Sequence, residues 1–336
     1  MEPNAGWYAS RLRQELTTRN RVYARSRACV ESYGSAPVIV YKPEEGRHGN
    51  FFGAAYAAIA ARPEWLRRFD KIHAQAARSL PKPQIDPRRR WRELDSSMSS
   101  DALLMNIFCT PGVTGSAALR NTLGIEDEET LPAFGWKARV PLANGRFDRT
   151  EVDMRLGSLL VEAKLTEVGF QTRAAAIVEA YRGFDAVFDR NQLPRVEIPT
   201  ARWMHASEFP ENDSQEFESV IGDPESFSAV DASFRPPGEA GYASYQLIRS
   251  VLAANATNSS FCVLHDERRP DLREEWFSVM AAVKSAAMRV RLKVLTWQEL
   301  AALLPADLQE FLDVKYGIVP PGKAPSQIDG VEDLSL

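Results

Sequence analysis

The residues best suited to chemistry lie between Arg149 and Glu167, in the stretch RTEVDMRLGSLLVEAKLTE. Glu151, Asp153 and Arg155 alternate along one predicted strand, and Glu162 and Lys164 along the next. Gly157-Ser158 between them suits a two-residue hairpin turn with glycine at its first central position. That turn pairs Leu156 with Leu159, Met154 with Val161, Asp153 with Glu162, Val152 with Ala163 and Glu151 with Lys164. One face then carries Val152, Met154, Leu156, Leu159, Val161 and Ala163, all apolar, and must turn to the core. The other face carries Glu151, Asp153, Arg155, Leu160, Glu162 and Lys164. Two carboxylates directly opposite one another have Cβ atoms about 4.5–5.5 Å apart and destabilise the sheet unless positive charge lies between them. A divalent cation such as Mg2+ or Mn2+ answers that need, because hard carboxylate oxygens suit it. Lys164 can then hold a water, or the charge that develops on a phosphoryl group under attack.

Plainer readings compete with this one. Glu151 opposite Lys164 is also an ordinary cross-strand ion pair, and an acidic strand face is often solvated surface with Arg155 as its counterion. The tripeptide [DE]-x-K is itself common: 45 acids and nine lysines make about one occurrence expected by chance. Two occur, Glu162-Ala163-Lys164 and Asp313-Val314-Lys315. The second falls on a predicted terminal helix with no facing acid, so the first carries the argument.

The elements that must position the hairpin are legible around it. Residues 7–29 read as an amphipathic helix rich in arginine, and 34–41 as a short apolar strand. Residues 48–80 read as helix broken at Pro63, and 81–94 as a proline-punctuated basic loop. Serine caps precede an apolar helix over 96–109. Residues 134–142, 150–156 and 159–165 alternate as strands. Phe170, Ala174, Ile177, Tyr181, Phe184 and Phe188 recur at helical spacing. Residues 190–240 read mostly as loop, with room for a strand or short helix. Helix 243–254, strand 261–265, helix 272–288 and strand 291–297 follow. Thr296 and Glu299 form a capping box for one more helix, and the tail after Gly317 reads as disordered. The order predicts an α/β chain of the α+β kind, a mixed sheet flanked by helices. Its parts are a basic, mostly helical region at 1–95, a catalytic domain at 96–318 and a tail at 319–336.

Composition narrows the function classes. No run of the roughly 18 apolar residues of a membrane span is present, and the polar N-terminus has no export signal, so the expected location is cytoplasmic. Cys29, Cys109 and Cys262 stand apart without a CxxC partner, which argues against a disulfide framework or a zinc ribbon. His265-Asp266 has no accompanying nucleophile and reads as a chain turn. Net charge is −4 but uneven: residues 1–92 hold 18 Lys and Arg against 8 Asp and Glu, and the rest 23 against 37. A balance of +10 in the first part suggests a polyanionic partner, although the two parts could equally attract each other. The run Arg88, Arg89, Arg90, Trp91 and Arg92 pairs guanidinium groups with an aromatic ring, as phosphate-binding surfaces do.

Asp153, a short hairpin and Glu162-Ala163-Lys164 together resemble the PD-(D/E)XK nuclease superfamily, the restriction-endonuclease-like fold. SSDALLMNIF, VEAKLTE and YQLIRSVLAA look similar to a bacterial branch of it. The resemblance covers about residues 96–300. It implies Asp153 and Glu162 as metal-binding acids, the Ala163 carbonyl as a further ligand and Lys164 as the catalytic lysine. Val152 stands where many members have proline. Many members also carry a glutamate on the first core helix, where this chain offers Asp101 and Asn106. Gln171 lacks the tyrosine four residues on that marks one exonuclease branch. Glu151, Glu167, Gln171 and Asp101 are weaker site candidates.

The expectation is a Mg2+- or Mn2+-dependent nuclease acting on DNA, with no membrane partner and an open oligomeric state that includes a homodimer. A DNA-binding or scaffolding protein on the same fold is the main alternative. A metal-free hydrolase using the paired acids, as glycosidases do, is the other.

Overall fold

A computed structural model describes residues 5–32, 37–71, 92–127, 129–149, 151–198 and 239–327. Its centre is a five-stranded mixed sheet of strands β1 (Ala133–Lys137), β2 (Glu151–Leu156), β3 (Leu159–Ala163), β4 (Ser260–His265) and β5 (Leu292–Thr296). They lie side by side in chain order. β1–β2 and β2–β3 are antiparallel, and β3–β4 and β4–β5 are parallel.

The principal helices are α1 (Ala5–Tyr23), α2 (Gly53–Ala60), α3 (Ser100–Phe108), α4 (Tyr245–Ala256), α5 (Pro270–Ala281) and α6 (Ala306–Tyr316). Parallel neighbours need long crossovers; α4 joins β3 to β4 and α5 joins β4 to β5. Both crossovers bury Leu247, Ile248, Val251, Leu272, Trp276 and Val279 with Leu160, Phe261 and Val263 on one sheet face. The other face, with Met154, Leu156, Val161 and Leu264, packs on Leu12 and Leu16 of α1, Leu103, Leu104 and Ile107 of α3, and Leu308 and Leu312 of α6. Coverage on both sides explains why every residue of β3 is buried. The α+β expectation with a mixed sheet is met.

Local signals account for several boundaries. Ser99 accepts the Ala102 N–H at the start of α3. The Thr296–Glu299 capping box forms at Trp297–Ala301. Gly157 has φ +61° at the first position of the hairpin turn, a conformation glycine adopts without strain.

Other expectations fail for tertiary reasons. The periodic stretch 170–188 is not one helix: Arg173–Ala174 forms a strand pairing with Glu239–Tyr242, and only Ala175–Val178 and Phe184–Val187 are helical. Phe170, Tyr181, Phe184 and Phe188, four of the six periodic positions, are buried in one core without a continuous helix. Residues 195–198 form a strand beside Glu239–Tyr242, an element that the mostly-loop reading left room for. Ser116 caps one further helix, Ala117–Leu123. Beyond Gly317, Ile318 and Val319 are buried and Ser326 hydrogen-bonds Asp313, so the first part of the expected disordered tail packs on the body. Arg88, Arg89, Arg90 and Trp91 lie outside the described residues. Arg92 opens the short turn Glu93–Asp95.

Candidate active site

The hairpin pairs Leu156 with Leu159, Arg155 with Leu160 and Met154 with Val161. Past Met154 the register changes character. The Asp153 carboxylate accepts the Ala163 N–H at 2.7 Å, taking up a backbone donor itself. The apolar face also divides there. Val152 packs with Leu160, while Met154 and Val161 pack on the opposite side. Val152 was expected beside Met154. On β1 the same break falls between Trp136, which pairs with Val152, and Phe134, which pairs with Met154, and Gly135 between them has φ +61°. That left-handed residue turns the strand, and β1 and β2 change faces together.

The result brings Asp153, Glu162 and Lys164 to one place. Glu162 is 2 % exposed and Lys164 5 %. Lys164 Nζ donates to Glu162 Oε1 and to Gln246 Oε1 of α4, both at 2.9 Å, and lies over the Phe170 ring. Its backbone is held from two sides: Lys164 N–H donates to Leu264 at 2.8 Å, and Trp297 Nε1 donates to the Lys164 carbonyl at 2.9 Å. Arg269, paired with Asp271, clamps the following turn by donating to the carbonyls of Leu165 and Val168. A side chain whose backbone is fixed this way presents its ammonium at a defined point.

Electrostatics at the site are strong because water is excluded. Burial pushes the Asp153 carboxyl well above its usual range, and the neighbouring carboxylates of Glu162 and Asp101 add to the shift. Burial works to lower the Lys164 pKa, but Glu162, then Glu167 and Asp153, outweigh it and raise it. Lys164 is therefore held as an ammonium. Arg249 of α4 lies near Glu162: burial opposes its charge, Glu162 favours it, and its Nη2 donates to the Glu151 carbonyl at 3.1 Å.

The weaker candidates separate. Glu151 does not pair with Lys164; it meets Arg68 at 2.8 Å and Lys71 at 3.4 Å. Asp101, near the start of α3, meets the same two cations at 2.7 and 3.5 Å. Asn106 points elsewhere, bonding the backbone at Asn50 and Phe52. Glu167 is occupied in ordering the turn, accepting from Ser100 Oγ at 2.6 Å and from Leu165 N–H at 2.7 Å. Gln171 has φ +59° and contributes its carbonyl to Tyr245 N–H. His265 bonds the neighbouring Asp266 carbonyl, and Asp266 is tied to Arg268 and Gln298, a structural turn.

Sequence reasoning passed over Arg68, Lys71, Gln246 and Arg249. Gln246 and Arg249 had a usable signal, since two polar residues three apart share one side of an otherwise apolar helix. Arg68 and Lys71 had none, because a basic run on a short helix usually faces solvent.

The two acids suit a divalent cation. Asp153 Oδ2 takes the Ala163 N–H and Glu162 Oε1 takes the lysine, which leaves Oδ1 and Oε2 without a hydrogen bond among the described residues. Both are hard oxygen donors. Burial first, and then the carboxylates of Glu162 and Asp101, make negative charge on Asp153 costly, and a cation would relieve that cost. Among the described residues no three His, Cys, Asp or Glu side chains gather as a metal-binding group. No described helix is long and apolar enough to cross a membrane.

Comparison with curated proteins and with solved structures gives no match. A family model does match, over residues 12–317, from within α1 to the end of α6. The match takes in the hairpin, its acids and lysine, and the crossover helices behind them, and on it the chain belongs to the family described as restriction endonuclease associating with ARP.

Proposed function

We propose that this chain is a PD-(D/E)XK nuclease that hydrolyses phosphodiester bonds of DNA with a divalent metal, Mg2+ or Mn2+. The observation that carries the reading is the convergence of Asp153, Glu162 and Lys164 on one buried point, with one oxygen of each acid left over. A bound metal would be held by Asp153 and Glu162, and it would supply Lewis-acid polarisation of the phosphate and of a water. Lys164 stays protonated, so its role is to donate to the water or to a phosphate oxygen as negative charge develops. Gln246 and Glu162 aim that ammonium. Membership in a restriction-endonuclease family supports DNA as the substrate. ARP, named in the family's description, is the expected protein partner.

Plasmid DNA incubated with and without Mg2+ tests the reading. Cleavage is expected from the wild type with Mg2+ only, and from Lys164→Ala under neither condition. Binding of DNA with no cleavage and no effect of Mg2+ would leave a scaffolding protein on the same fold.

A further inference from the structure

Beside the paired acids lies a second charged group with a different composition. Asp101, Glu151 and Glu93 converge from α3, β2 and the turn at Glu93–Asp95. Two cations from the segment after Pro63 meet them. Arg68 bridges Asp101 at 2.7 Å and Glu151 at 2.8 Å. Lys71 reaches Glu93 at 2.9 Å, Glu151 at 3.4 Å and Asp101 at 3.5 Å. The Asp101 side chain is 5 % exposed and that of Arg68 9 %, so the contact between them is desolvated, whereas Lys71 and Glu151 are about a third exposed. Glu151, which Arg68 holds, stands two residues before Asp153 on β2, yet among the described residues Asp101 does not join Asp153 and Glu162 as a third ligand.

Resting on the nuclease reading above, we propose that Arg68 and Lys71 take the place of a second metal ion, so that this site binds a single divalent cation, on Asp153 and Glu162. Two-metal sites hold their ions about 3.5–4 Å apart and need bridging or additional carboxylates between them. Here the carboxylate that could supply the second position, Asp101, is already matched by a bidentate-capable guanidinium and an ammonium. Glu167, the other nearby acid, is consumed by Ser100 and the Leu165 N–H. Fixed protein cations also hold their charge without needing a free ion. Breaking such a buried pair leaves an uncompensated carboxylate, which only another cation would satisfy.

Arg68 is thus a positioning residue. It fixes Asp101 and Glu151 and sets how many metal ions the neighbouring acids can draw in. Titration of the full chain with Mn2+, followed by the EPR signal of the free ion, reads the stoichiometry directly and needs no cleavage. The wild type is expected to take up a single Mn2+. Arg68→Met combined with Lys71→Met is expected to take up a second, and adding Asp101→Asn should remove it again. Two ions on the wild type, or a folded double variant that still takes one, would overturn the inference while leaving the nuclease reading standing. No Mn2+ uptake at all would overturn both. If the double variant does not fold, Asp101→Asn in the wild-type background decides the matter: it keeps its single ion if Asp101 is matched by the protein cations, and binds none if Asp101 is a ligand.

Discussion

The chain contains the same short pattern twice, and the two copies have opposite fates. In Glu162-Ala163-Lys164 the acid and the lysine lie two apart on a strand, so both project to one side. They meet at 2.9 Å, and the lysine is held charged. In Asp313-Val314-Lys315 the same spacing lies on α6, where two residues are about 200° apart around the axis. Asp313 turns outward and accepts from Ser326, while Lys315 turns inward. Its Nζ is buried with no hydrogen-bond partner among the described residues, above the Tyr316 and Tyr41 rings. Burial, with Arg27 nearby, drives its pKa well below 10.5. A motif of acid and lysine is therefore chemical only when the backbone period places both on one side. Burial lowers an amine's pKa, and carboxylates beside it raise it.

The largest effect that would break this contrast is on cleavage. Lys164→Ala is expected to lower the plasmid-cleavage rate by about 10²-fold or more, the scale seen when a preorganised electrostatic donor is removed. Lys315→Met is expected to leave the rate at the wild-type level. Comparable losses in both variants would mean that the strand position has no special role.

Metal-dependent stability comes next. Mg2+ binding only the folded state stabilises it by RT ln(1 + [L]/Kd), about 2.7 kcal/mol at a hundredfold excess over Kd. A thermal melt should show that gain in the wild type, keep much of it in Lys164→Ala, and lose most of it in Asp153→Asn and Glu162→Gln. Without metal, Asp153→Asn should melt no lower than the wild type, because it removes a carboxylate that Glu162 and Asp101 repel. A full Mg2+ gain in the two acid variants would place the metal elsewhere.

The smallest effect concerns Lys315. Its folded pKa lies below its unfolded 10.5, so the unfolded chain binds the extra proton. Stability tied to this group is present above pH 10.5 and is lost as pH falls from there through the folded pKa. Lys315→Met removes the unmet amine and should raise stability near neutral pH by about 1–3 kcal/mol. Relative to that variant, the wild type should recover as pH is raised toward 10.5. Denaturant melts of both proteins at neutral and alkaline pH check the sign. A variant less stable at neutral pH would show that Lys315 has a partner in solution.

What the sequence determined by itself was local. The glycine turn and the alternating strands set the hairpin register from Met154 to Leu156. The serine and Thr296 caps marked helix starts, and the strand spacing of Glu162 and Lys164 put them side by side. These follow from turn chemistry and side-chain period, which act over a few residues. Tertiary structure decided the rest. It broke the periodic stretch at 170–188, because Arg173–Ala174 found a strand partner at Gly241–Tyr242. It turned Asp153 to the Ala163 N–H where β1 and β2 twist together at Gly135. It also brought Arg68 to Asp101, 33 residues away, and to Glu151, 83 away. Contacts at such separations depend on how whole elements pack, and a buried ion pair forms only when packing has removed the water that would otherwise solvate each charge separately.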